Sequence, residues 1–361
     1  MALSKIPNAG ISDAVNFRNI IINGDMSIAQ RGTSTASITA NGYHTIDRMN
    51  SIIVNQGTWT QSQSTDVPTG QGFGYSLKMD CTTADASPAG GDIVRIQQAI
   101  EGKNLQYLKY GTSSAESTTL SFWVKSNKTG TYVIQLMNGA ASRQVGKTYT
   151  ISSANTWEKK TITFPGDTST ALDNDNSAEL YVMFCLGTGS DRSSGTLSST
   201  WQTFDSTDQF AGQTVNLADS TANEWYITGV QLEAGTTASE FEFLPRDINL
   251  NRCLRYCFSE PQGDTYHNVL NGFFSSTTLF IGCLNLPVKM RSTPTLTTSG
   301  SWSCAGTIGL NASNFQIIDM VLDEYSSVEF RATVSGATAG EGARFRNAND
   351  TSATFILSAE L

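Results

Sequence analysis

Apolar residues in this chain recur at every second position in segment after segment, and that spacing confines most of it to β-sheet. In Thr118–Lys125, Leu120, Phe122 and Val124 share one face while Ser121, Trp123 and Lys125 share the other. Successive side chains of an extended strand point to opposite faces, so such alternation builds a sheet with one face in a core. Tyr132, Ile134 and Leu136 repeat it in Thr131–Met137, and Lys160–Phe164 repeats it again. Glu179–Leu186 is apolar on both faces, as a central strand requires, and Asn223–Leu232 closes the series. Turn residues divide these segments at Asn23-Gly24-Asp25, Asn127–Gly130, Gly166-Asp167 and Gly187–Ser190. Gly102–Tyr110 reads as a helical turn or a loop. The Ser-, Thr- and Gly-rich stretch Gly187–Gln213 is long for a connection and is expected to be mobile or to contact a partner.

The period changes once. Leu250, Cys253, Leu254 and Cys257 fall at i, i+3, i+4 and i+7, which predicts a helix over Asp247–Cys257 with Asp247 as its cap. Arg252 and Arg255 lie on its polar side, toward the end where cations are favoured. About three turns are marginal alone, so this stripe must rest on a domain or on copies of itself, an oligomer interface. After Pro261 the alternation resumes in Leu279–Leu286, Ser327–Val334 and Ala353–Leu361, so the chain is expected to end inside a sheet. The expected fold is all-β. Residues 1–16 form an extended arm, 17–245 an N-terminal β-sandwich, 246–260 a short helical hinge and 261–361 a C-terminal β-sandwich. Two domains suit 361 residues, because single cores stop growing near about 250–300.

Composition narrows the function classes. Only 15% of residues are charged, against roughly 25% in ordinary globular proteins; short uncharged polar residues replace them, as in turn-rich β-proteins. The net charge is −9 with no basic block, which speaks against nucleic acid and anionic membrane surfaces as partners. Cys81, Cys185, Cys253, Cys257, Cys283 and Cys304 are too scattered for a disulfide scaffold. They read as small hydrophobes, because His44 and His267 are the only histidines available to complete a zinc site. The first residues lack the charged and apolar regions of a signal peptide, and no run approaches the roughly 18 apolar residues of a membrane span. Synthesis in a reducing cytoplasm is expected, without membrane insertion.

Several segments in order carry a resemblance. Asn19–Thr33 (NIIINGDMSIAQRGT), Gln97–Leu108 (QQAIEGKNLQYL), Thr118–Ser126 (TTLSFWVKS), Asn155–Gly166 (NTWEKKTITFPG) and Tyr226–Gly235 (YITGVQLEAG) resemble the carbohydrate-binding-like jelly-roll domain of tailed-phage fibre and receptor-binding virion proteins. Phe241–Tyr256 is similar to the acidic-aromatic turn, proline and short helix that follow it, and Asn285–Thr297 and Ser358–Leu361 to segments of the C-terminal domains of such fibres. Ser239-Glu240 stands where Thr-Pro is usual, and Cys257 where a second aromatic is usual. The resemblance implies a jelly roll over 17–245. It also implies a virion structural protein, a tail fibre or receptor-binding subunit that attaches the particle to host surface glycans. Such a subunit would be a homotrimer whose helix stripe lines the threefold axis. Its N-terminal arm would join other virion proteins, with assembly in the host cytoplasm and display on the virion surface. A capsid-bound head fibre or decoration protein is the alternative, and a carbohydrate-active enzyme or secreted carbohydrate-binding module the second.

Chemistry-bearing residues are few. No Gly-rich phosphate loop, HExxH or GxSxG is present. Glu101, Asp173, Asp175, Glu233, Glu240 and Glu242 could supply a glycosidase pair, but carboxylates this common meet by chance, and no enzyme is expected. The resemblance brings in one ion, a structural calcium between first and last strands, where Asp25 and Glu233 offer hard oxygen donors; otherwise Asp25 completes its turn. No other cofactor is expected. Of the indoles, Trp123, Trp157 and Trp225 sit in strand motifs and read as packing, while Trp59 reads either way. Trp201 and Trp302, in polar segments, together with Tyr266 and His267, are the expected carbohydrate contacts.

Overall fold

The computed structural model describes residues 17–139, 142–260, 263–319 and 326–361, and the expected arm at 1–16 lies outside the described residues. The chain divides into two units. The first comprises the chain up to Ser27, Ser34–Tyr43 and Met49–Leu244, and the second comprises Ile28–Thr33, His44–Arg48 and Pro245–Leu361. The junction at Leu244–Pro245 coincides with the change of period. The two short early segments that go with the second unit have no counterpart in the alternation.

In the first unit the strands are β1 (Ser34–Ile38), β2 (Gly42–Tyr43), β3 (Asn50–Val54), β4 (Thr58–Ser64), β5 (Ser76–Thr83), β6 (Ile93–Glu101) and β7 (Thr118–Ser126). They continue as β8 (Gly130–Asn138), β9 (Arg143–Ile151), β10 (Glu158–Phe164), β11 (Ala178–Thr188), β12 (Gln202–Thr203) and β13 (Glu224–Ala234). A six-stranded sheet runs β1-β4-β5-β13-β7-β10 and a seven-stranded sheet β12-β9-β8-β11-β6-β3-β2, antiparallel throughout. Their inner faces meet in one core. Phe122 of β7 packs edge-on against Phe184 of β11 and Tyr149 of β9, with centroids 5.3 and 5.2 Å apart, and Trp225 is fully buried beside Phe184. The alternation read in β7 therefore does what it predicts: Leu120, Phe122 and Val124 point inward and are at most 1% exposed. Gly102–Tyr110 resolves into two 3-10 turns, Gly102–Asn104 and Gln106–Leu108.

The stretch Gly187–Gln213 departs from expectation. It folds onto the outer face of the seven-stranded sheet, where Phe210 is fully buried among Ile93, Val133, Met183 and Cys185. Along it, β12 pairs with β9, and Asp205 caps the 3-10 turn Ser206–Asp208 by accepting from Thr207 N. A polar composition hid three apolar anchors, Leu197, Trp201 and Phe210.

The main stretch of the second unit, from Pro245, begins with α1 (Arg246–Leu254), the α-helix among the described residues. It starts after Pro245 without a side-chain cap, and Asp247 sits in its first turn, where a carboxylate suits the helix dipole. It stops before the expected Cys257 because β14 (Cys257–Ser259) pairs with the C-terminal strand, Cys257 opposite Ser358. The later strands are β15 (Asn268–Phe274), β16 (Leu279–Asn285), β17 (Thr295–Ser299), β18 (Trp302–Ala305), β19 (Gly309–Asp319), β20 (Ser327–Thr333), β21 (Gly342–Asn347) and β22 (Thr354–Ser358). β15-β16-β20-β19-β18-β21 close into a barrel, and β14-β22-β17 form a separate three-stranded sheet. Closure removes the unpaired edges that an open sheet exposes. The core is aromatic: Phe280, Phe330, Phe345 and Phe355 are each at most 1% exposed. Apart from α1 and short 3-10 turns, the described residues thus form an all-β fold, and strand pairing at β22 holds its last strand.

Candidate functional site

Register on the outer face of the six-stranded sheet builds the candidate site. Opposed residues of antiparallel strands share a face. Thr228 of β13 opposes Trp123 of β7, which opposes Lys159 of β10. The next row is Gln231, Ser121 and Thr161, and the third is Glu233, Thr119 and Thr163. Because Phe122 and Val124 fill the core, Trp123 must face out, and it is half-exposed. Register shifts between Thr228 and Gln231, and Gly229 sits in this bulge with φ +62°. A Cβ on Gly229 would lie 2.6 Å from the Phe73 ring, so only glycine lets that ring lie against the strand.

Residues 235–244 then cross the same face. Gln231 Oε1 accepts from Glu242 N at 2.8 Å, and Glu233 accepts from Ser239 N and Oγ at 2.8 and 2.7 Å. Arg18 Nε donates to Ser239 Oγ at 2.7 Å and stands 3.7 Å from Glu233. The Glu242 carboxylate accepts from Phe17 N and Asn19 N at 2.8 and 3.0 Å. Pinned this way, the segment gathers Phe241 and Phe243 around Phe73, with ring centroids 5.1, 5.1 and 4.9 Å apart. Phe243 stays 51% exposed. The three rings and Trp123 line a cleft of about 230 Å³. The exposed Gln71, Lys159 and Glu240 also line it and give it an amide, an ammonium and a carboxylate. An apolar surface with a few polar groups at hand suits a small flat ligand.

The neighbouring row is a fixed network. Lys125 pairs with Asp66 and lies 4.3 Å over the Tyr226 ring and 5.6 Å over Trp157. Trp157 Nε1 donates to Asp66 at 2.9 Å. Burial alone would raise the Asp66 carboxyl, but the hydrogen bonds from Lys125 and Trp157 and the Lys125 charge hold it below its ordinary value. Lys78 and the Tyr226 hydroxyl donate to Glu224 at 2.6 and 2.7 Å. Burial, reinforced by that bond to Glu224, pushes the Tyr226 phenol up and keeps it a donor.

The residues singled out from the sequence fall elsewhere. Trp302 is corrected from an exposed contact to a core residue: it is 5% exposed and stacks on Phe345 at 4.9 Å and 9°. The cause is that β18 is paired on both sides, to β19 and β21. Trp201 is half-buried, with Nε1 donating to Pro165 O at 2.7 Å and its ring edge-on to Tyr110. Tyr266 is 50% exposed, with the Arg346 guanidinium 4.6 Å over its ring. His267 is half-buried, its Nε2 3.1 Å from Glu260. None of these four lines the cleft.

Asp25 completes its own turn by accepting from Ser27 N and Oγ, while Glu233 serves Ser239, Gln231 and Arg18. Among the described residues no group of three or more His, Cys, Asp or Glu side chains is placed to hold a metal ion. Along the helix stripe, Cys253 and Cys257 are fully buried and Leu254 is 8% exposed within a single chain, with Leu250 half-buried. The expected threefold interface on these residues is therefore corrected, because the chain itself covers them. Of the six cysteines only Cys283 is exposed and all are free; burial pushes the Cys81 thiol up to about 11, an inert state.

Asp173 and Asp175 are brought beside Glu179, whose carboxyl burial raises, with both aspartates adding to it; this acidic group lies outside the cleft. Sequence reading missed most of the cleft: Trp123 reads as packing there, and Phe73, Phe243, Gln71 and Lys159 are not singled out, though the place of Trp123 on the outward half of the alternation was a signal. No helix among the described residues is long and apolar enough to cross a membrane.

No family model matches the chain, and no curated protein matches it. Among solved structures it is similar to the enzymatically active domain of tailspike protein 4 of bacteriophage CBA120, at 14% identity over 60% of this chain and 21% of that one, with a TM-score of 0.32. It thus spans about a fifth of that tailspike domain's length. It is also similar to the family 11 carbohydrate-binding module from Clostridium thermocellum in complex with a mixed-linked tetrasaccharide, at 9% identity over 57% and 98% of the two chains, TM-score 0.29. The N-terminal cellulose-binding domain of Cellulomonas fimi β-1,4-glucanase C is similar at 17% identity over 58% and 100%, TM-score 0.25. These likenesses are remote, and the cleft is defined by its own geometry.

Proposed function

We propose that the chain is a glycan-binding attachment protein of a virus particle, a tail fibre or receptor-binding subunit of a tailed phage, and that the cleft over Trp123 holds a sugar ring. The observation that carries the reading is a half-exposed indole and a three-ring wall beside three exposed polar side chains. A pyranose presents apolar C–H faces and a girdle of hydroxyls. It needs flat apolar surface for the first and donors and acceptors for the second. Gln71 both donates and accepts, Lys159 donates and Glu240 accepts. The ordered motifs that resemble phage fibre proteins support the setting.

Adhesion rather than chemistry is the mechanism. Hydrolysis of a glycosidic bond uses two carboxyl groups roughly 5–9.5 Å apart, and Glu240 alone carries one among the residues lining the cleft. Each sugar contact is weak, and display in several copies converts weak contacts into firm attachment. A homotrimer would provide that display, on a surface other than the helix stripe.

Surface plasmon resonance against a panel of bacterial surface polysaccharides tests the reading. Trp123→Ala and Phe243→Ala, both at exposed or half-exposed positions, are expected to weaken binding by about tenfold or more with little change in thermal midpoint. Undiminished binding by both folded variants, or no binding by the native chain, would overturn it.

A further inference from the structure

The outer face of the seven-stranded sheet holds two arginines with no acid to meet them. Ile52, Arg95 and Cys185 form one row across β3, β6 and β11, and Asn50, Gln97 and Met183 form another. Onto this face comes the segment after β11. The Phe210 N–H donates to Arg192 O at 2.7 Å, and the buried Phe210 ring lies 6.0 Å below the Arg95 guanidinium. Arg192, from the 3-10 turn Ser190–Arg192, donates from Nη1 to Gln209 Oε1 at 3.0 Å. The Arg95 guanidinium thus stands over Phe210 and that of Arg192 bonds its chain neighbour Gln209, one from the sheet and one from its cover.

Both are bonded only to neutral amides. Arg95 Nε donates to Gln97 Oε1 at 3.0 Å, and among the described residues neither arginine is in an ion pair. The adjacent Asp191 carboxylate lies against Gly90 instead. Arg192 Nε is buried with no hydrogen-bond partner. Burial, and then the positive charge of Arg192, pull the Arg95 pKa down to about 10. With 32 acidic residues against 23 basic ones, acids to neutralise the pair were not scarce. Half-buried like charges left without a counter-charge are costly, and a guanidinium fork is shaped for two parallel bonds to an oxyanion.

We propose that Arg95 and Arg192, flanked by the amides of Gln97 and Gln209, bind the oxyanion group of a small ligand, a carboxylate or phosphate such as an acidic sugar carries. The site lies on the sheet opposite the Trp123 cleft and stands independently of it. Isothermal titration of the whole chain at low ionic strength tests it with glucuronate, inorganic phosphate and, as neutral control, glucose. Glucuronate or phosphate is expected to bind saturably and to be undisplaced by glucose, which has a ring for the cleft but no anion for the arginines, and the tighter anion identifies the group. Arg192→Gln, at a turn, is expected to weaken that binding by about tenfold or more, and Arg192→Lys partially, since the charge remains and the fork is lost. Trp123→Ala is expected to leave anion binding unchanged, which separates this site from the cleft. Absence of anion binding by the native chain, or equal binding by folded Arg192→Gln, would overturn the proposal.

Discussion

Gly229 determines where the wall of the cleft can stand. Its φ of +62° lies in the left-handed region that side chains tolerate poorly, and the Phe73 ring occupies the space a Cβ would need. Gly229→Ala is therefore expected to cost about 1–3 kcal/mol and to push Phe73 away from β13, carrying Phe241 and Phe243 with it. Urea unfolding and polysaccharide binding measured on the same variant check this; a variant of native stability and affinity would contradict it. At this scale the sequence is legible in part. Trp123 stands on the outward half of a plain alternation, yet its exposure depends on residues 235–244 passing beside it rather than over it. Trp302 shows the reverse: Gly and Ser neighbours suggest exposure, and pairing on both sides of β18 buries it. Direction along a strand is local information. Coverage is contributed by residues far away in the chain.

Elements are read more reliably where apolar side chains run the length of a strand. Glu179–Leu186 and Leu279–Leu286 correspond closely to β11 and β16, because apolar side chains recur through them. β4, with the sequence TWTQSQS, gives almost no such signal and is held by pairing with β1 and β5. The predicted helix ran on to Cys257 because its stripe continues there, but strand pairing with Ser358 competes and wins. The segment after β11 is the largest departure, and its attachment depends on few anchors, above all Phe210. Segments fixed by few buried contacts open locally before the whole domain does. Phe210→Ala, a large-to-small change at a fully buried site, removes about 3–5 kcal/mol of packing. It is expected to speed amide exchange over 190–213 while β7 and β13 keep their protection. Hydrogen-exchange mass spectrometry decides the matter, and a uniform rise across the first unit would show that the segment is not separable.

At the scale of the molecule, the second unit cannot be cut out at the point where the hydrophobic period changes. Its early segments carry Arg31 and Arg48, and both reach Glu360 near the other end of the chain, Arg48 across 312 residues. Arg48 is 1% exposed, its guanidinium lies 3.6 Å over the Tyr256 ring, and its backbone is held at φ +70°, a strained conformation that surrounding contacts must support. Gln30 adds hydrogen bonds to Asp47 and to Cys257 O. No periodicity announces such a link, because single charged residues in irregular segments carry it. A fragment spanning 245–361 keeps Glu360, 6% exposed in the native fold, but loses both arginines. Removing one side of a buried ion pair costs about 3–5 kcal/mol, against a whole-domain stability of about 5–15 kcal/mol. The fragment is therefore expected to melt without cooperativity or far below its counterpart within the whole chain, and Arg48→Met in the whole chain to destabilise the second unit in the same direction. Trp302 is the one tryptophan after residue 245, so fluorescence of the fragment reports directly on whether its indole still stacks on Phe345. A fragment that melts cooperatively at the temperature of the intact unit would mean that the strand pairings of the barrel suffice, and that the arginines reaching Glu360 fasten the end of the chain without carrying the fold.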